Sequence, residues 1–381
     1  MGKIAIFQES NSTQPQKPHI LCSPRDSVSL SIAESDSRHF HALIADHAKD
    51  ATDVYQLCQD WPNFRVASDG TTQAIPLLTL RVTIFPYQGL SIGLSFLHVA
   101  VDGPAFHHFV KSWASICKGQ DFDGPTPVHD RTVVRDPNGL ESTILQLQWS
   151  MAGPINFGSE PISKRLADMV RATFELSKAQ IEGLKSWARA ESPHFSSFVA
   201  VCSLVWVCFI KSREGEGGNG KGSEVCCFAF AADCRKRLGY PMPAGYFGNC
   251  LAFCHAVVEK GELLGGDGVI VGMKATGKRV GEAEDEPLKE TAEWASVWKK
   301  YKERGVVFAV AGSPRLGAYD VDFGWGRPIK TDVIHIDSGS LFSLGESRNE
   351  NGGIEVGLAL STAHMARFVA VWEQTLNLFS C

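Results

Sequence analysis

The stretch Phe198 to Ile210 carries no charged side chain, and it constrains the fold more than any other segment. It is too short to cross a bilayer. It therefore reads as a helix buried inside a core, with Ser196 placed to cap its start. A chain of 381 residues with 44% hydrophobic content can build that core, in one large domain or two of ordinary size. Wholesale disorder is excluded. The net charge of −5 comes without clusters of Lys and Arg, so neither a nucleic acid nor an anionic membrane is an expected partner. Eleven cysteines are irregularly spaced in a chain too long to need disulfide staples. Met1 to Gln8 shows no signal-peptide pattern, and Ile6 stands where N-myristoylation requires Ser or Thr. The thiols read as reduced and the location as cytoplasmic.

Residues 1–17 are polar and without periodicity, as in a tail, and the folded chain is expected from Pro18 onward. Leu78 to Phe85 and Leu90 to Leu97 read as two strands. Leu90, Ile92, Leu94 and Phe96 alternate onto one face, and Pro86-Tyr87-Gln88-Gly89 has the chemistry of a hairpin turn. Asp102 can cap a following helix with Pro104 in its first turn, where Phe106, Phe109, Val110, Trp113 and Cys117 recur at helical spacing. Residues 118–168 are rich in Pro, Gly and Asp and read as an interdomain connection, dividing the chain into 18–150 and 151–381. Beyond it, Ser177 can cap a helix carrying Ile181, Leu184 and Trp187, and Arg213 to Ser223 reads as a charged, Gly-rich loop. Val225 to Ala231, Leu251 to Val257, Val333 to Ile336, Leu341 to Leu344 and Ile354 to Leu360 read as strands. A last helix aligns Met365, Phe368, Trp372, Leu376 and Phe379. This irregular interleaving predicts an α/β fold of mixed sheets in two subdomains, not a regular βαβ barrel.

Three suggestive patterns fail. Gly215 to Lys221 begins like a phosphate-binding loop, but Gly222 replaces the Ser or Thr that would hold magnesium, and a strand follows where a helix is needed. Cys226, Cys227, Cys234, Cys250, Cys254 and His255 include no C-x-x-C pair, so no metal site is expected. No G-x-S-x-G elbow is present.

His98-Val99-Ala100-Val101-Asp102-Gly103 places an imidazole where an apolar strand ends, a position from which rigid frames present reactive groups. Such a ring can take a proton from a hydroxyl near neutral pH. Asp102 could orient that ring or form an ion pair that holds the turn. From spacing alone, a satisfied histidine before a capped helix is the better description. Further along, Asp322-Phe323-Gly324-Trp325-Gly326-Arg327-Pro328 puts two glycines around a tryptophan, as in a tight loop.

Together these two stretches resemble the H-x-x-x-D-G and D-F-G-W-G signatures of the plant BAHD acyltransferases, in the same order. Tyr246-Phe247-Gly248-Asn249-Cys250 is similar to the Y-F-G-N-C motif of the anthocyanin and flavonoid-glucoside clade. Asp233-x-Arg235-x-Arg237-Leu238, Val170 to Phe174, Gly312 to Gly317 and Asn351 to Leu358 also fit that clade.

The resemblance implies two chloramphenicol-acetyltransferase-like α/β domains with a channel between them. His98 would be the general base there, deprotonating an acceptor hydroxyl that attacks the thioester of an acyl-CoA co-substrate, with no acyl-enzyme, bound cofactor or metal. It implies a structural role for Asp102 and Gly103, with Arg235 as the ion-pair partner and Arg237 second. It also implies that Asp322, Gly324, Trp325 and Gly326 support the fold. The clade's usual donor is malonyl-CoA and its acceptor a sugar hydroxyl of a phenolic or flavonoid glucoside. Arg171 is the candidate to bind the malonyl carboxylate, set beside the plainer reading of a strand-end arginine in water. The alternatives are a hydroxycinnamoyl-CoA-dependent enzyme and an inactive, truncated member, since relatives carry a further segment before the stretch matching Pro18. A second His that often precedes the base is Leu97 here. Relatives imply a monomer.

Overall fold

A computed structural model describes residues 2–7, 17–58, 65–66, 72–136, 139–152, 166–188, 195–214, 224–289, 291, 293–337 and 339–379. The first half runs β1 (Lys3–Phe7), β2 (His19–Leu21), β3 (Ser29–Glu34), α1 (Ser37–Ile44), β4 (Lys49–Asp50), α2 (Ala51–Tyr55), β5 (Arg65–Val66), β6 (Thr72–Pro76), β7 (Leu78–Phe85), β8 (Gly89–Phe96), α3 (Gly103–Cys117) and α4 (Leu140–Ala152). The second runs β9 (Met169–Leu176), α5 (Lys178–Trp187), α6 (Ser197–Ser212), β10 (Val225–Asp233), β11 (Leu251–Glu259), α7 (Lys260–Leu264), α8 (Gly268–Asp285), α9 (Trp294–Arg304), β12 (Gly305–Gly312), β13 (Leu341–Glu346), β14 (Ile354–Ser361) and α10 (Thr362–Asn377).

The main core forms around the apolar helix α6 and the seven-stranded mixed sheet β11-β10-β12-β13-β14-β9-β4. Ser196 accepts a hydrogen bond from the Val199 N–H and so starts the helix. Phe209 then stacks on Phe308 of β12 at 3.8 Å, and Trp206 on Phe228 of β10. Helix α8 crosses α6 closely at Gly272, where a Cβ would stand 3.3 Å from that of Ser203. On the other flank, Phe368 and Trp372 of α10 close on Phe174 of β9. Truncating a side chain such as Leu204 in this packing costs about 2–5 kcal/mol. The central strands β10, β12 and β13 pair in parallel and the outer ones antiparallel. The short β4 lays the early chain on the sheet's edge, with Lys49 opposite Arg171.

The first half contributes two further sheets, β2-β1-β6-β5 and β3-β7-β8. The hairpin β7–β8 pairs Leu78 with Phe96 and Ile84 with Leu90, and Tyr87 turns the corner in a left-handed conformation. In β3-β7-β8 the apolar row is the exposed one: Ile32 is 68% exposed, as are Leu30, Ile84 and Leu90 in part, whereas Thr79 and Thr83 of the opposite row are buried.

Three sequence expectations change. Residues 3–7 are not tail: β1 pairs antiparallel with β2 and β6, and Ile4 and Ala5 are buried between neighbours. The segment 118–168 is not all connection, because α4 forms within it, with the carboxylate of Asp136 accepting from the N–H groups of Leu140 and Glu141. Its Val128 also bridges Tyr246. Val333 to Ile336 is not a strand. It makes one 3-10 turn over Ile334–Ile336, because the carbonyl of Val333 accepts from Arg171 and not from a neighbouring strand. The glycine-rich stretch 215–222 lies outside the described residues.

Candidate active site

The hairpin delivers His98. Leu97 is buried and hydrogen-bonded to Leu77, and the N–H of Ala100 returns to the carbonyl of Leu97, closing a tight turn. The side-chain amide of Asn249 donates to the carbonyls of His98 (2.7 Å) and Val99 (3.1 Å), and Arg131 donates to that of Ala100. The backbone under His98 is thus held by groups from distant parts of the chain. Its imidazole is exposed and lies beside the Phe96 ring, which stacks in turn on Phe106 at 3.9 Å. Among the described residues, neither ring nitrogen of His98 has a hydrogen-bond partner. An imidazole in that state has its lone pair available to a hydroxyl.

Asp102 points the other way. It is 0% exposed and saturated. One carboxylate oxygen accepts from the Ala105 N–H, capping α3, and from Arg235; the other accepts from Arg235 and from the Cys250 N–H. Arg235 also donates to Asp233 and to the carbonyl of Gly248. Burial alone would pull the Arg235 guanidinium down, but Asp102 and Asp233 hold it above its usual value. Of the two readings of Asp102, the geometry has the ion pair. Arg237 pairs instead with Glu284. Gly103 lies where a Cβ would press on Leu316 at 3.3 Å, so the start of α3 packs against the 312–317 loop.

The 322–326 loop sits at the far end of α3, about 22 Å along the helix from Asp102 at 1.5 Å per residue. One carboxylate oxygen of Asp322 accepts from the N–H groups of Gly324 and Gly326, and the other pairs with Lys118. These contacts, led by the Gly324 N–H, hold its carboxyl below the usual range. Gly324 and Gly326 take φ of 106° and 96°, which side chains resist. Phe323 packs edge-on to Trp113, and Trp325 is 73% exposed. The loop braces the end of α3 and does not reach His98.

Arg171 requires a correction. Two readings stood side by side, an open carboxylate clamp and a strand-end arginine in water, but its side chain is 3% exposed and its fork is already engaged by Asp337, the carbonyl of Val333 and, more distantly, Asp332. A guanidinium neutralised by a buried carboxylate has little left for a second one. What this pair does is hold the turn that carries His335, a residue no sequence signal singled out. Burial first, then the charges of His98 and Arg171, pull the His335 imidazole below its usual value. The only hint in the sequence was a His inside an apolar run.

Among the described residues no cluster of three His, Cys, Asp or Glu could hold a metal. Burial pushes the thiols of Cys226, Cys227 and Cys234 up to about 12, so they stay protonated.

The architecture that presents His98 is that of the CoA-dependent acyltransferases. Vinorine synthase superposes with a TM-score of 0.60 at 18% identity, covering 86% of this chain and 71% of that one. TRI101 of F. sporotrichioides, solved with coenzyme A and T-2, gives 0.60 at 15% identity over 98% of this chain and 85% of its own. The model of the Transferase family matches residues 33–375. Coumaroyl-CoA:anthocyanidin 3-O-glucoside-6''-O-coumaroyltransferase 2 of Arabidopsis thaliana is 33% identical, over 100% of this chain and 82% of that protein. Phenolic glucoside malonyltransferase 1 of the same plant is 32% identical, over 95% and 80%. The anthocyanin 3-O-glucoside-6''-O-malonyltransferase of Dahlia pinnata is 31% identical, over 99% and 82%. The chain belongs to the BAHD acyltransferase family. It is an acyltransferase, and members of that family use acyl-CoA as co-substrate with no metal or prosthetic group.

Proposed function

We propose that this chain transfers an acyl group from acyl-CoA to a sugar hydroxyl of a phenolic or flavonoid glucoside, with His98 as the general base. The observation that carries the reading is the exposed imidazole of His98, without a hydrogen-bond partner among the described residues and set on a backbone fixed by Asn249. His98 takes the hydroxyl proton as the oxygen attacks the thioester carbonyl. The tetrahedral intermediate expels CoA thiolate, and the imidazolium returns the proton. Asp102, Gly103 and Arg235 keep the turn in place, and Asp322, Gly324, Trp325 and Gly326 brace α3.

For the donor, the Tyr246 to Cys250 motif and the malonyltransferases among the relatives support malonyl-CoA. The engagement of Arg171 by Asp337 favours a second reading, an uncharged hydroxycinnamoyl group, which needs no cation. The coumaroyltransferase relatives agree with it. Free, mostly buried thiols suit a cytoplasmic location, a monomer is carried over from the family resemblance alone, and no described helix is long and apolar enough to cross a membrane. The test is turnover of the purified chain with a flavonoid glucoside and both donors in competition, read as acylated product. Product from either donor supports the reading, and the favoured donor decides between the two. No product with any acyl-CoA leaves the inactive member as the better description.

A further inference from the structure

We propose that Phe96, backed by Phe106, is a specificity-determining residue for the acyl donor: its ring is the wall against which an uncharged, planar acyl group lies while the hydroxyl held by His98 attacks. The inference rests on the acyl-transfer reading above and deepens it. β8 ends at Phe96, two residues before His98. The ring centroids of Phe96 and His98 are 6.1 Å apart, with planes 29° from parallel. Phe106, in the first turn of α3, lies flat on Phe96 at 3.9 Å and 14°. Ala100, Val101 and Ala105 are buried against this pair of rings. Asp102 caps α3 at Ala105, one residue before Phe106, so the ion pair that holds the turn also holds the wall. Phe96 and Phe106 are nevertheless only half-buried.

A thioester attacked by the hydroxyl on His98 borders the Phe96 ring, and what it meets there is apolar. The carbonyls of His98 and Val99 are taken by Asn249, and that of Ala100 by Arg131. Val99, 55% exposed, adds a further apolar side chain beside the base. A malonyl group would bring its carboxylate against this wall and lose water with no donor in return. The hydroxyls of a hexose would meet the same loss. An acyl group conjugated to an aromatic ring loses nothing there. It is flat and rigid, and its ring can stack on that of Phe96, a contact that raises affinity up to about tenfold beyond the burial of apolar area. The match is therefore to an aryl-conjugated acyl thioester.

The test is turnover of hydroxycinnamoyl-CoA and malonyl-CoA by the wild type, Phe96→Ser, Phe96→Leu and Phe96→Tyr, with the Kd of each donor from calorimetry and the melting temperature as the check on folding. Losing the ring should lower kcat/KM for hydroxycinnamoyl-CoA about tenfold and weaken its Kd to match, while malonyl-CoA and the acceptor KM stay within about twofold. The tyrosine variant keeps the ring and should keep the wild-type preference. The leucine variant keeps apolar bulk, so it gives the same reading should the serine variant be unstable. A donor ratio unchanged in Phe96→Leu, or an acceptor KM that rises in step with that of hydroxycinnamoyl-CoA, overturns the inference. So does a wild type that uses malonyl-CoA and refuses hydroxycinnamoyl-CoA. Wild-type turnover indifferent to Phe96 removes this inference alone; no wild-type turnover with either donor removes the reading beneath it.

Discussion

Asp102 and Arg235 lie 133 residues apart and meet in a two-pronged ion pair, with nitrogen–oxygen distances of 2.8 and 2.9 Å. The pair ties the start of α3, just after His98, to the loop that follows β10. Because both carboxylate oxygens are already occupied, Asp102 acts on His98 through the backbone. Asp102→Ala takes away the buried partner of the Arg235 guanidinium, leaving it Asp233 and the carbonyl of Gly248, and should cost about 3 kcal/mol, measured by urea denaturation. Arg235→Lys should restore little, since an ammonium cannot reproduce the fork. An Asp102→Asn variant as stable as wild type yet inactive would contradict this role.

Asn249 is the more direct support of the base. Its amide holds two carbonyls, those of His98 and Val99. Asn249→Ala should lose about 1–2 kcal/mol of stability and lower kcat about tenfold or more, with KM values little changed, because a base moved by a fraction of an ångström reacts poorly. Kinetics with saturating acceptor would show the split.

Two histidines set a pH dependence of stability. His107 is pulled below its usual 6.5, first by burial and then by Lys111, against the carbonyl of Gly103 and Glu346, which favour its charge. His335 is pulled down by burial, His98 and Arg171. For both, the unfolded chain binds protons more readily than the folded one, so stability is full above about pH 6.5 and falls as pH drops below it. The melting temperature should decline from about pH 7.5 to about pH 5.5, and less steeply in His107→Gln/His335→Asn.

The buried pair of Arg171 and Asp337 should matter to the fold and not to donor choice. Arg171→Ala strands a buried carboxylate and should cost about 3–5 kcal/mol. At a temperature where the variant is still folded, activity with malonyl-CoA and with hydroxycinnamoyl-CoA should fall together. A loss confined to malonyl-CoA would restore Arg171 as a carboxylate clamp.

Much of this was legible in the sequence where local signals agreed. The Pro86–Gly89 turn, the cap at Ser196 and the cap at Asp102 each coincide with a change of period, and β7, α6 and α3 stand where those signals put them. The strand β12 was not legible. Gly305 to Gly312 is a continuous apolar run with parallel neighbours on both sides, so it lacks alternation. Helix α8 was hidden by its glycines, one of which exists for the close crossing with α6. β1 is too short to show a period and forms because β2 and β6 flank it. At the site, His98 and Asp102 carry a motif. His335 carries none, because its position is set by contacts of Arg171 that no spacing reveals.

The central claim is that the His98 ring takes the acceptor's proton. The most direct measurement is turnover of His98→Ala, with folding confirmed by an unchanged melting temperature. The account predicts a loss of about 10²–10⁴-fold in kcat while acyl-CoA still binds. A folded His98→Ala variant that makes product at the wild-type rate would contradict it.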